Sequence, residues 1–129
     1  MSDPVWLLEL AVLIAHEVSL ANFGGADGIR DQNLLESALA RPRNLFAYED
    51  SGIPELAAAY TAGIVQNHRF VDGNKRTGLL AGAAFLELSG LRLTATEPEA
   101  TQIILGLAAG DVSELQLAAW FREKSVINS

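Results

Sequence analysis

Apolar residues recur at helical spacing along almost the whole chain, broken by short polar or glycine-containing interruptions. Pro4 stands at the opening position of a first helix that Ser2 or Asp3 would cap, and Gly24-Gly25 stops it. Asp31 opens a second helical segment, QNLLESALAR, which Pro42 is expected to close. NLFAYEDSGIP has no helical pattern and carries Asp-Ser-Gly turn chemistry, so it reads as a loop or a short β-flap. ELAAAYTAGIVQN, from Glu55 to Asn67, is the next helix, and another runs from near Arg76 to Ser89 with Gly90 as its stop. LRLTAT is a brief extended piece. Thr96 with Glu99 forms a capping box for a helix ending at Gly110, and Ser113 with Gln116 forms another for the last helix.

The pattern predicts an all-α fold, a compact domain of about six helices with a short flap and one short extended segment. GLLAGAAFLEL is apolar on nearly every face, which places it in the middle of the domain with other helices around it. Its Gly78, Ala81, Gly82, Ala83 and Ala84 would let those neighbours approach closely.

Composition narrows the picture. The chain has 129 residues, the size of a single domain with one core over residues 1–129. Apolar classes make up 50% of it, which argues against disorder. It has no cysteine, so disulfide scaffolds, thiolate metal sites and a cysteine nucleophile fall away. A net charge of −7 disfavours direct binding of nucleic acid. The apolar run VWLLELAVLIA is interrupted by Glu9 and shorter than the roughly 20 residues a membrane span needs. No basic residue precedes it, so it does not read as a signal peptide; a cytoplasmic protein with no membrane partner is expected.

One stretch departs from the alanine- and leucine-rich background: HRFVDGNKRTG, His68 to Gly78. It leads into the GLLAGAAFLEL helix, whose N-terminus offers unpaired N–H groups and the positive end of the helix dipole. Gly73 permits a backbone turn that aims successive N–H groups into a nest, Asn74 is a good cap, and Lys75 and Arg76 add cations. Cations there oppose the dipole, and an anionic ligand would explain them. Together Gly73, Asn74, Lys75 and Arg76 describe a phosphate cradle. Asp72 is a hard oxygen ligand placed where Mg²⁺ could bridge to phosphates. His68, kept neutral beside a positive helix end, could act as general base. The composite suits phosphoryl or nucleotidyl transfer to a hydroxyl. The plainer alternative is that VDGN is only the turn two consecutive helices require. No GxxxxGK[ST], GxGxxG or HExxH occurs, which removes P-loop, dinucleotide and zinc-protease readings.

HRFVDGNKRTG resembles the loop of the Fic superfamily, His-x-Phe-x-Asp/Glu-Gly-Asn-Gly/Lys-Arg, and is most similar to its Doc (death-on-curing) branch. GIRDQNLLESALARPRNLFAYED and FLELSGLRLTAT resemble the flanking Doc segments, so the likeness covers most of the chain. Fic enzymes typically transfer AMP, with a second glycine where this chain has Lys75 and an arginine where it has Leu79. Both departures match Doc. The resemblance implies a Fic-fold toxin of a toxin–antitoxin pair: an ATP- and Mg²⁺-dependent kinase acting on a threonine of elongation factor Tu and arresting translation. It implies His68 as base, Asp72 as the Mg²⁺ ligand and Gly73, Asn74, Lys75 and Arg76 as the phosphate site. A small antitoxin with a disordered tail would be the partner. AMP transfer to a protein hydroxyl and a non-catalytic phosphate-binding module are the alternatives.

Other residues read more plainly. His16, mid-helix in an apolar stretch, is expected to pack or hydrogen-bond locally. Phe70 should plug into the core and fix the loop. Arg41 and Arg43 read as exposed cations after a helix end, with contact to nucleotide or target as the alternative. By the resemblance to the Fic fold, Phe46 to Asp50 would belong to the flap that holds a target segment as an added strand; otherwise they are an ordinary surface loop. Trp6 and Trp120 are core or interface anchors, and Thr77 either braces the loop or bonds within its own turn.

Overall fold

In a computed structural model, residues 3–49, 51–66, 70 and 72–128 are described. The elements run α1 (Glu9–Phe23), α2 (Gln32–Glu49), α3 (Ile53–Val65), α4 (Asn74–Leu88), β1 (Leu91–Leu93), α5 (Glu97–Ala109), α6 (Glu114–Glu123) and β2 (Ser125–Ile127). The fold is all-α. Its two short strands form an antiparallel ribbon pairing Leu91 with Ile127 and Leu93 with Ser125.

The buried central helix is α3. Leu56, Ala57, Ala58, Ala59 and Tyr60 are all inaccessible, and α2, α4 and α6 pack around it. GLLAGAAFLEL, expected at the centre, lies in α4 directly against α3 but leaves Leu80 and Leu88 exposed. Its glycines act as expected. A Cβ at Gly82 would lie 2.2 Å from Thr61 Oγ1, and one at Gly78 would lie 2.6 Å from Val65 Cγ2. Only residues without side chains let the two helices meet at this distance. The approach is secured by a bond across it, Thr61 Oγ1 donating to the Gly78 carbonyl at 2.8 Å.

Two helix boundaries lie far from expectation, while α3 and α4 are shifted by only about two residues. Pro4 does not open α1, which starts at Glu9 after an extended segment. Leu7 sinks into the core and its N–H donates to Tyr60 Oη at 3.1 Å, while Trp6 stacks on Phe85 at 6.0 Å and meets Phe46 edge-on at 5.8 Å. Burying one leucine contributes about 2 kcal/mol, against about 1 kcal/mol for a helix cap. The extended path therefore wins.

Pro42 does not end α2, which continues through it to Glu49. Phe46 to Glu49 are therefore helical, and no flap forms among the described residues; Asp50 lies outside them. A mid-helix proline costs about 3 kcal/mol in isolation. Here Pro42 is itself buried, and Leu45 and Phe46 beyond it pack on the core. The carbonyl that loses its i+4 donor is that of Ala38, which lies against Gly63 of α3 at close range. Arg41 pairs with Glu114 of α6, its Nη2 at 2.9 Å, and the Arg43 guanidinium lies 5.7 Å from the Trp6 ring. Both arginines thus hold the continued helix in place.

The remaining signals behave locally. Gly24 ends α1 at φ 80°, and both capping boxes form, Thr96 with Glu99 and Ser113 with Gln116. β2 has no counterpart in the sequence pattern. It exists because the chain leaving α6 meets β1, with Thr94 N–H donating to the Lys124 carbonyl at 2.7 Å and Asn128 N–H to Gly90 at 2.8 Å.

Candidate functional site

The turn into α4 carries most of the polar cluster between His68 and Gly78. Gly73 sits at φ 77°, a left-handed conformation that glycine adopts without strain. It, rather than Asn74, is the residue before the helix. Asn74 is the first helical residue, and its carboxamide turns back onto Phe70: Oδ1 accepts from the Phe70 N–H at 2.8 Å and Nδ2 donates to the Phe70 carbonyl at 2.9 Å. Phe70 is fully buried, as expected, and pairs antiparallel with Ile29. Asn74 is therefore a clamp that ties the start of α4 to the core through Phe70.

Asp72 is exposed, and each of its carboxylate oxygens accepts one backbone N–H. Oδ1 takes that of Gly73 at 3.0 Å and Oδ2 that of Ala26 at 3.3 Å. Gly25 makes this approach possible, since a Cβ there would lie 3.1 Å from Oδ2. A carboxylate oxygen has lone pairs beyond one such bond, so Asp72 retains the hard-oxygen character Mg²⁺ prefers. Among the described residues no cluster of three or more acidic or imidazole side chains could hold a metal by itself. A metal here would depend on a ligand's own oxygens.

Lys75 and Arg76 differ in their commitments. Lys75 is exposed and borders a cleft of about 590 Å³ at the N-terminus of α4, which Asp72, Gly73, Asn74 and Arg76 also line. Its far wall is the C-terminal end of α5, Leu107 to Gly110. Among the described residues no side chain caps α4, and first-turn N–H groups at such an end are free to meet solvent or an anion. Arg76 reaches back to α1. Its Nε donates to Ser19 Oγ at 3.0 Å, a longer contact of 3.5 Å reaches the Gly24 carbonyl, and the guanidinium lies 4.5 Å from the Phe23 ring. An anion is thus not required to explain Arg76, because the carboxyl-terminal end of α1 attracts a cation. Lys75 has no such partner among the described residues.

Two α1 side chains enter the site that sequence reasoning did not place there. His16 is buried, its Nε2 lies 2.8 Å from the Asp72 carbonyl oxygen, and its ring stacks on Phe70 at 3.9 Å and 13°. Ser19, one turn on, receives Arg76. The available signal was a pair of polar residues spaced i, i+3 on an apolar helix. Thr77 is fully buried, and among the described residues its hydroxyl has no hydrogen-bond partner. His68 lies outside the described residues, as do Asn67, Arg69 and Val71. Leu79 packs on the core and borders an apolar groove with Phe23, Leu80, Ile104 and Leu105, a groove that also touches Lys75 and Arg76.

A helical domain whose glycine turn presents an aspartate, an asparagine clamp and two cations at a helix N-terminus has the architecture of the Fic fold. The chain belongs to the Fic/DOC family, whose model matches residues 6–86. It is 42% identical over 76 residues to a protein named Toxin Doc from Mycolicibacterium smegmatis. That match covers 57% of this chain and 58% of the relative's length.

Proposed function

We propose that this chain is a Doc-type toxin that transfers the γ-phosphate of ATP to a threonine hydroxyl of elongation factor Tu and so arrests translation. The observation that carries the reading is Lys75: an exposed lysine lining the α4 cleft, where AMP-transferring members of the Fic superfamily have a glycine that lets a diphosphate lie against the backbone. Leu79, where those relatives have an arginine, faces apolar surroundings, which further disfavours holding a diphosphate in the AMP-transfer orientation. The likeness to Toxin Doc supports the same branch.

In this reading His68 accepts the threonine proton as the hydroxyl oxygen bonds to the γ-phosphorus. The bond from that phosphorus to the β–γ bridging oxygen breaks, and ADP leaves. Asp72 would hold Mg²⁺, which when bound supplies charge neutralisation between phosphates. Gly73, Asn74, Lys75 and Arg76 form the phosphate site, Gly73 and Asn74 by holding the turn in shape and the others through backbone N–H groups and cationic side chains. A cognate antitoxin with a disordered tail completes the pair; no nucleic acid or membrane takes part. Among the described residues no helix is long and apolar enough to cross a membrane.

The test incubates the protein with elongation factor Tu, Mg²⁺ and ATP labelled at the α or the γ position, beside a His68→Ala variant. Label from the γ position alone, abolished by the substitution, is expected. Retained α label would mean AMP transfer and overturn the Lys75 argument. Nucleotide binding without any transfer would favour a non-catalytic phosphate-binding module.

A further inference from the structure

We propose that His16 is a positioning residue for the turn: by donating from Nε2 to the Asp72 carbonyl it fixes the peptide plane between the candidate metal ligand and the phosphate cradle. The inference rests on the proposed kinase function for its consequence, though not for its geometry. A carbonyl oxygen only accepts, so at 2.8 Å the hydrogen is on Nε2 of His16. In a trans peptide the C=O of one residue and the N–H of the next point in opposite directions. Holding the Asp72 C=O toward α1 therefore directs the Gly73 N–H away from it, where it meets Asp72 Oδ1 at 3.0 Å.

The restraint matters because glycine follows. Gly73 populates positive and negative φ almost equally, so nothing in its own chemistry prevents this peptide from flipping. A flip would place a carbonyl oxygen where an N–H now points and carry Asp72 with it. His16 opposes this from a rigid position. It lies mid-helix, only 3% exposed, with its ring held flat against Phe70, which Asn74 clamps in turn. Gly73 itself abuts the imidazole, since a Cβ there would lie 3.5 Å from His16 Cδ2.

Two variants separate the bond from the packing. His16→Phe keeps an aromatic ring against Phe70 and removes the donor; His16→Gln removes the ring and keeps a donor at similar reach. Expected for H16F is a folded protein by circular dichroism whose Gly73 amide exchanges about tenfold faster, the effect of losing one part-buried hydrogen bond. Its phosphoryl transfer per bound ATP should fall by about tenfold or more, with H16Q recovering both to within about threefold. Unchanged exchange and transfer in H16F, or equal damage in both variants, would overturn the proposal. The exchange measurement needs no nucleotide. If the native protein transfers nothing, the kinase reading falls while Gly73 exchange still decides the role of His16.

Discussion

Asn74 uses both ends of its carboxamide on a single residue, accepting from and donating to the backbone of Phe70. Its side chain is thereby committed to Phe70, and its part in any phosphate site is to hold shape. Replacing it with alanine would leave a buried N–H and a buried C=O unpaired, each costing about 1–3 kcal/mol. Asn74→Ala should lose about 3 kcal/mol in urea denaturation; a loss below about 1 kcal/mol would mean that water replaces the clamp. Asp72, Lys75 and Arg76 stand out as polar in the sequence alone, because an apolar helix has no use for them. Which of them is already engaged is not visible there, since Ser19 and Gly24 stand more than fifty residues from Arg76 along the chain.

Helices α3 and α4 meet through glycines, and the sequence spacing of Gly78 and Gly82 announces such a face. A methyl group at Gly82 would press on Thr61 Oγ1 and lie 3.0 Å from Phe121 Cζ. Gly82→Ala should therefore destabilise by about 1–3 kcal/mol despite alanine's better helix propensity. In a cycle with Thr61→Ala the combined loss should be smaller than the sum, because the second change removes the clashing atom. Strict additivity would show that the helices simply separate. The fate of α2 shows the opposite limit of local reasoning. Pro42 is a stop signal by every short-range rule, yet burial of the proline and of the turn that follows outweighs it. In the same way, the docking of Trp6 and Leu7 sets where α1 starts.

The two ends of the C-terminal region are joined by one ion pair, Lys124 Nζ to Glu99 Oε2 at 2.6 Å, which ties the start of α5 to the end of α6. The Lys124 bond, with help from the Thr96 N–H and hydroxyl, holds the Glu99 carboxyl at about 2, below its ordinary 4.5. A carboxyl lowered on folding contributes stability that is complete above pH 4.5 and disappears as pH falls toward 2. Lys124 is raised by the same partner, so its share is present below its ordinary 10.5 and is lost as pH rises through the raised value. Glu99→Gln should flatten both limbs of a stability-against-pH curve, and the effect should shrink in high salt because the pair is exposed. Curves that keep their acid slope in the variant would place that dependence on other carboxylates.

Partners within one turn of each other were legible from sequence: the capping boxes, the glycine stops, the left-handed Gly73 and the helical class follow from rules acting over four residues or fewer. The cluster was legible as a polar interruption for a related reason, since its residues are consecutive. Tertiary structure decided what distance in sequence hides. His16 meets Asp72 across 56 positions, α5 supplies the far wall of the cleft, and the extended start and the uninterrupted α2 exist because burying side chains outweighs the local signal. Short-range preferences are worth about 1–3 kcal/mol each, and a few buried side chains together exceed that.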